Sequence, residues 1–286
     1  MINFKFTIFT PCYNGKNTIK RVFESVASQT YKNYEWIIIN DGSTDKSDSV
    51  IRKYISDYNF AGGGKIKYLS QNNKGKHVAW NRAVDMATGE LFLSADADDS
   101  FIPTTLEYFN AKMNKLLDGK ELEDSIYSGI NVCVYDPDTN EPIGTPYPYN
   151  GLISDNVELD FKYKIRGEHW GIVRTDLLRK NKFPEVKGHF YTEGRIWYSF
   201  AAQGYKVVCY NDCLRARYNE ATSLTHNRQY IWDRDKNIMY MKNTLWTLHK
   251  LGLRIFRYSP VGFLRLWKIV LIKSLRIALS PLFYKK

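Results

Sequence analysis

The chain has 286 residues, of which 44% are apolar and 25% charged, and its formal net charge is +11. That length can bury a core of one large domain or two small ones, and the composition excludes a disordered polar chain and an integral membrane bundle. The last acidic residue is Asp235; residues 236–286 hold eleven Lys or Arg and no acid, which leaves the other 235 residues balanced at thirty of each sign. A balanced body with a basic C-terminal stretch is not the pattern of a nucleic-acid coat protein, which is basic throughout.

Strand and helix patterns alternate in the first half. Phe4–Thr10 reads as a buried strand, and Gly15–Gln29 as an amphipathic helix with Ile19, Val22, Phe23 and Val26 on one face. Tyr34–Asn40 is a second strand, whose three consecutive isoleucines predict a sheet covered on both faces. Ser43-Thr44-Asp45 predicts a capped helix running to about Tyr58, with Ser43 as the cap. Lys65–Ser70 is a third strand, Lys76–Ala87 a helix, and Glu90–Ala95 a fourth strand. This alternation predicts a parallel sheet with right-handed crossovers. Ligands of such sheets collect at the C-terminal strand ends, here Thr10–Asn14, Asn40–Thr44, Ser70–Asn73 and Ala95–Asp99.

The second half is less regular. Ser125–Tyr135 and His169–Arg174 read as strands, with a turn-rich stretch at Asp136–Gly151 between them. Glu193–Gln203 reads as a helix, Tyr205–Tyr210 and Leu214–Tyr218 as two short strands, and residues 227–250 as a helix leading to the tail. Cys12, Cys133, Cys209 and Cys213 form no CxxC pair, and Cys209 and Cys213 have no companion pair at zinc spacing. Sparse cysteine fits a reducing cytoplasm, and Met1–Lys5 runs into a strand with no signal-peptide pattern.

The tail from Ser259 to Lys286 has its own pattern. At helical spacing, Arg265, Lys268, Lys273 and Arg276 fall in an arc of roughly 140°, and Phe263, Trp267, Ile269, Val270, Leu271, Leu275, Ile277 and Leu282 occupy most of the rest. Pro260 suits the start of this helix and Pro281 its stop. A wide apolar face beside a narrow basic one predicts a helix lying in an anionic membrane interface; the alternative is a helix folded onto the protein's own core.

Ala95-Asp96-Ala97-Asp98-Asp99 carries the sharpest chemical signal. Three carboxylates at a strand end repel one another. Asp99 fits the ordinary task of a helix N-cap, but a turn needs only one Asp. Clustered hard oxygens at a ligand-binding sheet edge point to Mg²⁺ or Mn²⁺, which could bridge to a nucleotide diphosphate.

FTIFTPCYNG, SVASQTYKNYEWIIINDGSTD and ADADD, in that order, resemble the family 2 glycosyltransferases of GT-A fold. NKGKHVAWN, IVRTDLLRKNKFPEVKG and TEGRIW extend the resemblance to a bacterial cell-surface glycan branch, over roughly residues 4–225. It implies an α/β Rossmann-like fold, with a mixed, mainly parallel sheet flanked by helices. Residues 1–225 would form the glycosyltransferase domain: 1–100 the nucleotide-binding half, 101–225 the acceptor and catalytic half. Residues 226–286 would form the basic amphipathic tail.

The resemblance also implies roles. Pro11, Tyr13 and Asn14 match the loop that holds base and ribose, and Asp41 matches the acid that bonds the uracil ring. Asp96 and Asp98 match the DxD motif, with Asp96 near ribose or donor sugar and Asp98 on the metal. Lys76 and Asn81 match donor contacts; many members have Ala-Arg-Asn where this chain has Ala79-Trp80-Asn81, so Lys76 would supply the charge. Inverting transfer needs one carboxylate base. Many members have two adjacent acids there, whereas this chain has Glu193-Gly194, which leaves Glu193 as the base and Glu185 and Glu168 as alternatives. Trp197, Trp170 and His169 are candidates to line an acceptor groove.

The expected function is inverting transfer from a metal-bound nucleotide-diphosphate sugar, UDP-linked by preference, to a lipid-linked or cell-surface glycan. The enzyme would work in the cytoplasm, peripherally on the inner face of the cell membrane. A sugar-phosphate nucleotidyltransferase would need a Gly-rich basic loop, and TPCYNGKN has one Gly and one Lys. A nucleic-acid-binding protein would not need the tail's Ile, Val and Leu.

Overall fold

The computed structural model describes residues 2–58, 65–185, 191, 193–218 and 233–283. Strands β1 (Phe6–Cys12), β2 (Tyr34–Asp41), β3 (Ile66–Gln71) and β4 (Leu91–Ser94) run parallel in the order β3-β2-β1-β4. Helices α1 (Lys20–Ala27), α2 (Ser47–Asp57) and α3 (Lys76–Met86) make the crossovers. All eight residues of β2 are buried. Trp36 and Ile38 enter an apolar cluster with Phe23 and Ile51, while Ile37 and Ile39 enter a second with Phe9, Trp80 and Phe92. The isoleucine run is therefore apolar on both faces because both faces are covered.

Two local readings need correction. Helix α2 begins at Ser47, and it is Asp45 that accepts the Ser47 N–H at 2.9 Å. Ser43 Oγ instead accepts the Asn14 N–H at 2.9 Å, fastening the β1 loop to the β2 loop. Asp99 is no helix cap either. The next helix, α4 (Thr105–Leu117), starts beyond the short strand β5 (Ser100–Phe101), and Asp99 is buried.

The second half adds β6 (Tyr127–Tyr135), β7 (Pro142–Ile143), β8 (Leu152–Ser154), a π-helical turn at Glu158–Lys162, β9 (His169–Arg174), α5 (Thr175–Lys180), α6 (Gly194–Ala202) and β10 (Lys206–Ala216). It extends the sheet past β4 in the order β9-β6-β10-β5. Strand β9 is antiparallel to β4 and β6, while β6 and β10 are parallel. The two strands expected at Tyr205–Tyr210 and Leu214–Tyr218 are one strand, β10, with an irregular register between Tyr210 and Cys213. Strands β6 and β9 approach so closely that a Cβ on Gly129 would lie 1.9 Å from Ile172 O.

Helices α7 (Arg234–Tyr258) and α8 (Pro260–Phe283) form an antiparallel hairpin, with Phe256 against Phe263 and Met241 Sδ 3.2 Å from Ser274 Oγ. The boundary drawn at 225/226 falls outside the described residues. Helix α7 docks on the body: Arg254 Nη2 lies 2.6 Å from Asp155 Oδ2, and Leu251 and Ile255 join Val157 and Ala201. Pro281 sits inside the last turn of α8 and does not end it. The Ile277 carbonyl, which would be the partner of the amide that proline lacks, accepts the Ser280 hydroxyl at 2.9 Å. Among the described residues, no helix is long and apolar enough to cross a membrane.

Glu35 ties the parallel half together from inside. Its carboxylate accepts from Thr7 Oγ1 at 2.7 Å, from Lys67 Nζ at 2.8 Å and from the Thr88 amide, which joins β1, β2, β3 and the turn into β4. Burial opposes its charge, but Lys67 and these donors outweigh it and hold the carboxyl below its ordinary range. A depressed folded-state value stabilises the fold above the ordinary glutamate value of about 4.3, and that stability is lost as pH falls through the folded value. Glu35→Ala should therefore cost about 3 kcal/mol in urea unfolding at pH 7. The difference from wild type should narrow in melts below about pH 4.

Candidate active site

Four loops at the C-terminal ends of β1 to β4 build one wall. Asn14 adopts a left-handed φ of 54°, which Asn tolerates better than most residues. Its Oδ1 accepts the Thr44 amide at 2.8 Å, so the loops after β1 and β2 are clasped together. Pro11 is the last residue but one of β1, and Tyr13, just past the strand's end, is exposed. Gly42 has φ +72°, and a Cβ there would lie 2.5 Å from Asn73 N, so the β2 and β3 loops touch through bare backbone.

Asp41 is buried, and three donors reach it. Oδ1 accepts from Gln71 Nε2 at 2.8 Å and from Lys74 N at 2.9 Å, and Oδ2 from Gly75 N at 2.8 Å. It therefore anchors the two residues that lead into α3 and does not cap the helix that directly follows it. One of the carboxylate's four acceptor sites is left for a ligand.

The acid cluster lies past β4, and two cations meet it. Lys76 Nζ stands 2.9 Å from Asp96 Oδ1, and Arg215 Nη2 stands 3.5 Å from Asp96 Oδ2 and bonds Asp99 more closely. Burial works against these charges. Lys76 and Arg215 outweigh it at Asp96, whose carboxyl is held below its usual range. At Asp98, partial loss of water on the protein side and the neighbouring Asp96 push the carboxyl up. Burial pushes Asp99 to about 7, with Arg215 opposing. Burial would also discharge Lys76, but Asp96 and Glu193 keep its ammonium above the ordinary lysine value. Asp98 is exposed and its side chain has no partner among the described residues, while Arg21 donates to its carbonyl at 3.1 Å.

Glu193, at the start of α6, comes to the same place: its Oε1 is 3.0 Å from Lys76 Nζ. Glu168 also approaches, but Arg215 and Arg217 hold it at 3.0 and 2.7 Å. Both Glu168 oxygens are thereby engaged, whereas Glu193 meets Lys76 through one oxygen. Glu185 lies elsewhere, accepting from Asn81 Nδ2 at 2.9 Å. Asn81 is buried, and its amide clasps the main chain of Phe183, accepting from N at 2.9 Å and donating to O at 2.8 Å. Asn81 thus fastens the main chain at Phe183 to α3. Trp170 is core, packed on Phe101 and Phe109. Trp197 packs on Trp80 and Phe200, and His169 on Tyr147.

Among the described residues, no three His, Cys, Asp or Glu side chains converge as a metal cage. Asp96 and Asp98 offer hard oxygens there, which suits Mg²⁺ or Mn²⁺ only if phosphate and water complete the shell. Sequence reasoning missed Arg215. It lies alone in Leu214-Arg215-Ala216, and the signal was indirect: three acids within four residues at a strand end require cations, and an Arg between apolar strand residues is positioned to be one.

Residues 7–119 match the family model described as Glycosyl transferase family 2. An uncharacterized glycosyltransferase of Escherichia coli, YibD, is 38% identical over 103 residues, which is 36% of this chain and 28% of that protein. The match thus spans less than a third of that relative's length. In fold, the chain resembles Staphylococcus aureus TarS (residues 1–349) in complex with UDP-GlcNAc, at TM-score 0.64 and 18% identity, covering 96% of this chain and 81% of that one. It also resembles the mannosyltransferase PcManGT of Pyrobaculum calidifontis in complex with GDP-Man and Mn²⁺, at TM-score 0.57 and 17% identity, covering 100% and 77%. These likenesses support the GT-A arrangement read from the sequence. Residues 7–119, the part of the chain that is similar to glycosyl transferase family 2, carry the clasped loops, Asp41, Lys76 and the Asp96–Asp99 cluster.

Proposed function

We propose that the protein is an inverting glycosyltransferase that moves a sugar from a nucleotide-diphosphate donor, UDP-linked by preference, to a hydroxyl of a glycan acceptor. The observation that carries this reading is the meeting of Asp96, Lys76 and Glu193 within 3.0 Å contacts at the C-terminal edge of a parallel sheet. Such edges bind nucleotides. Tyr13 and Asn14 would border the base and ribose, and the free acceptor site on Asp41 would take a ring N–H. Lys76 would meet the diphosphate. Asp96 and Asp98 would hold Mn²⁺ or Mg²⁺, which when bound offsets charge on the leaving diphosphate. Glu193 would take the acceptor's proton while the acceptor oxygen bonds the anomeric carbon from the face opposite the diphosphate. One base and no covalent intermediate make the outcome inversion.

We also propose a lipid-linked or cell-surface glycan as acceptor, reached at the inner face of the cell membrane. Helix α8 supports this. Its Leu264, Trp267, Leu271 and Leu275 remain exposed in the hairpin, beside exposed Arg265 and Lys268. Of the tail's cations, Arg254 is committed to Asp155 and Lys273 lies over the Tyr240 ring. An apolar stripe flanked by unpaired cations suits an anionic lipid surface.

Calorimetry with UDP, GDP and their sugars, with and without Mn²⁺, tests the donor. Binding of a nucleotide sugar that strengthens with Mn²⁺ is expected, and Asp98→Asn should remove the Mn²⁺ effect. Full activity in that variant would overturn the metal assignment. Glu193→Gln should lower transfer on the order of 10²- to 10⁴-fold while the donor still binds; an unimpaired rate would move the base elsewhere. The full chain should sediment with vesicles containing phosphatidylglycerol and not with pure phosphatidylcholine. Leu264→Glu with Leu271→Glu should abolish that binding, and unchanged binding would refute the membrane reading.

A further inference from the structure

Lys76 touches two groups that the proposed reaction uses at different moments. Its Nζ lies 2.9 Å from Asp96 Oδ1, on the donor side, and 3.0 Å from Glu193 Oε1, the base. We propose that this bridge is a clamp: without nucleotide, Lys76 holds Glu193 against the donor site, and an arriving diphosphate takes Lys76 over and releases Glu193 for the acceptor. The inference rests on the glycosyltransferase reading and adds an order of events to it.

The mount of Lys76 supports a side-chain switch rather than a backbone movement. Lys76 is the first residue of α3, and the two amides before it, Lys74 N and Gly75 N, are fixed on Asp41. The four-carbon stem above that anchor is flexible and ends in a compact charge with three donors. A diphosphate offers that charge more negative oxygens than one carboxylate does. The pair with Glu193 can also be reached from solvent: their side chains are 29% and 34% exposed, so an arriving diphosphate can approach Lys76. Glu168 shows the contrast. Two guanidiniums hold it, one of them on the nearly buried Arg215 side chain, so the same release is not available to it.

The chemistry balances without a new reactant. The acceptor hydroxyl gives its proton to Glu193, its oxygen bonds the anomeric carbon, and the carbon–oxygen bond to the diphosphate breaks with its electron pair leaving on phosphate. Lys76 remains an ammonium throughout and changes only its partner. A clamp of this kind makes donor binding precede productive acceptor binding.

UDP affinity of the full chain tests the clamp. Glu193→Gln removes the competitor for Lys76 and should tighten UDP binding about two- to five-fold. Lys76→Met should weaken UDP binding and cancel that gain when combined with Glu193→Gln. Lys76→Arg, which keeps the charge, should preserve it, and uridine without phosphate should show no gain in any background. A crystal structure with UDP should place Lys76 Nζ on phosphate oxygen, out of contact with Glu193. Equal UDP affinity of wild type and Glu193→Gln, the same gain in the Lys76→Met background, or a persistent Lys76–Glu193 pair beside bound UDP would each overturn the clamp. Failure of both UDP and GDP to bind the wild type would overturn the donor reading and the clamp with it.

Discussion

Three carboxylates within four residues, pressed against the end of a buried strand, are the constraint that the rest of the site answers. Asp96, Asp98 and Asp99 could not share that place uncompensated, because burial and mutual repulsion both oppose their charge. The fold answers with cations from distant parts of the chain: Lys76 from α3 and Arg215 from β10. Each then gathers a further acid, Glu193 for Lys76 and Glu168 for Arg215. The charge requirement of one short loop therefore pulls the second half of the chain onto the first. It also explains why β10 must run alongside β6 and end beside β5, since only there does its Arg215 reach Asp99.

The parallel half was legible in the sequence because its strands are buried on both faces. Runs such as YEWIIIN have few other uses, and alternating apolar helices leave little choice of topology. Element ends were less legible. Helix α1 starts at Lys20, not at the glycine, and β3 runs on to Gln71. Caps were misread because several residues compete for each one. Ser43, Asp45 and Asp41 all suit capping, and only the fold shows that Ser43 serves a loop, Asp45 serves α2 and Asp41 serves α3.

The second half was legible only in pieces. Strand β9 agrees with the expectation residue for residue, but its antiparallel insertion between β4 and β6 leaves no local mark. The site residues divide in the same way. Asp96, Asp98, Lys76 and Glu193 come together as motif positions, whereas Arg215 has no motif and Asn81 has one that does not reveal its partners. Side-chain pairing across 100 residues or more of chain is set by tertiary packing, and single-residue chemistry does not encode it. The tail shows the reverse case. Its charge bias was plain, yet Arg254 is a structural residue tying α7 to Asp155, so net charge overstated how many cations face outward.

Helix α3 carries Lys76 in its first turn and Asn81 in its second, and Asn81 is hooked to the backbone of Phe183. A single rigid rod thus bears a contact to each half of the domain. Its position acts as a common datum, so a small rotation of α3 would displace the donor-side ammonium and the main chain at Phe183 by linked amounts. Substitutions far from the chemistry, on the buried face where Ala79, Ala83 and Val84 pack, would then disturb the alignment of the two halves rather than either one alone.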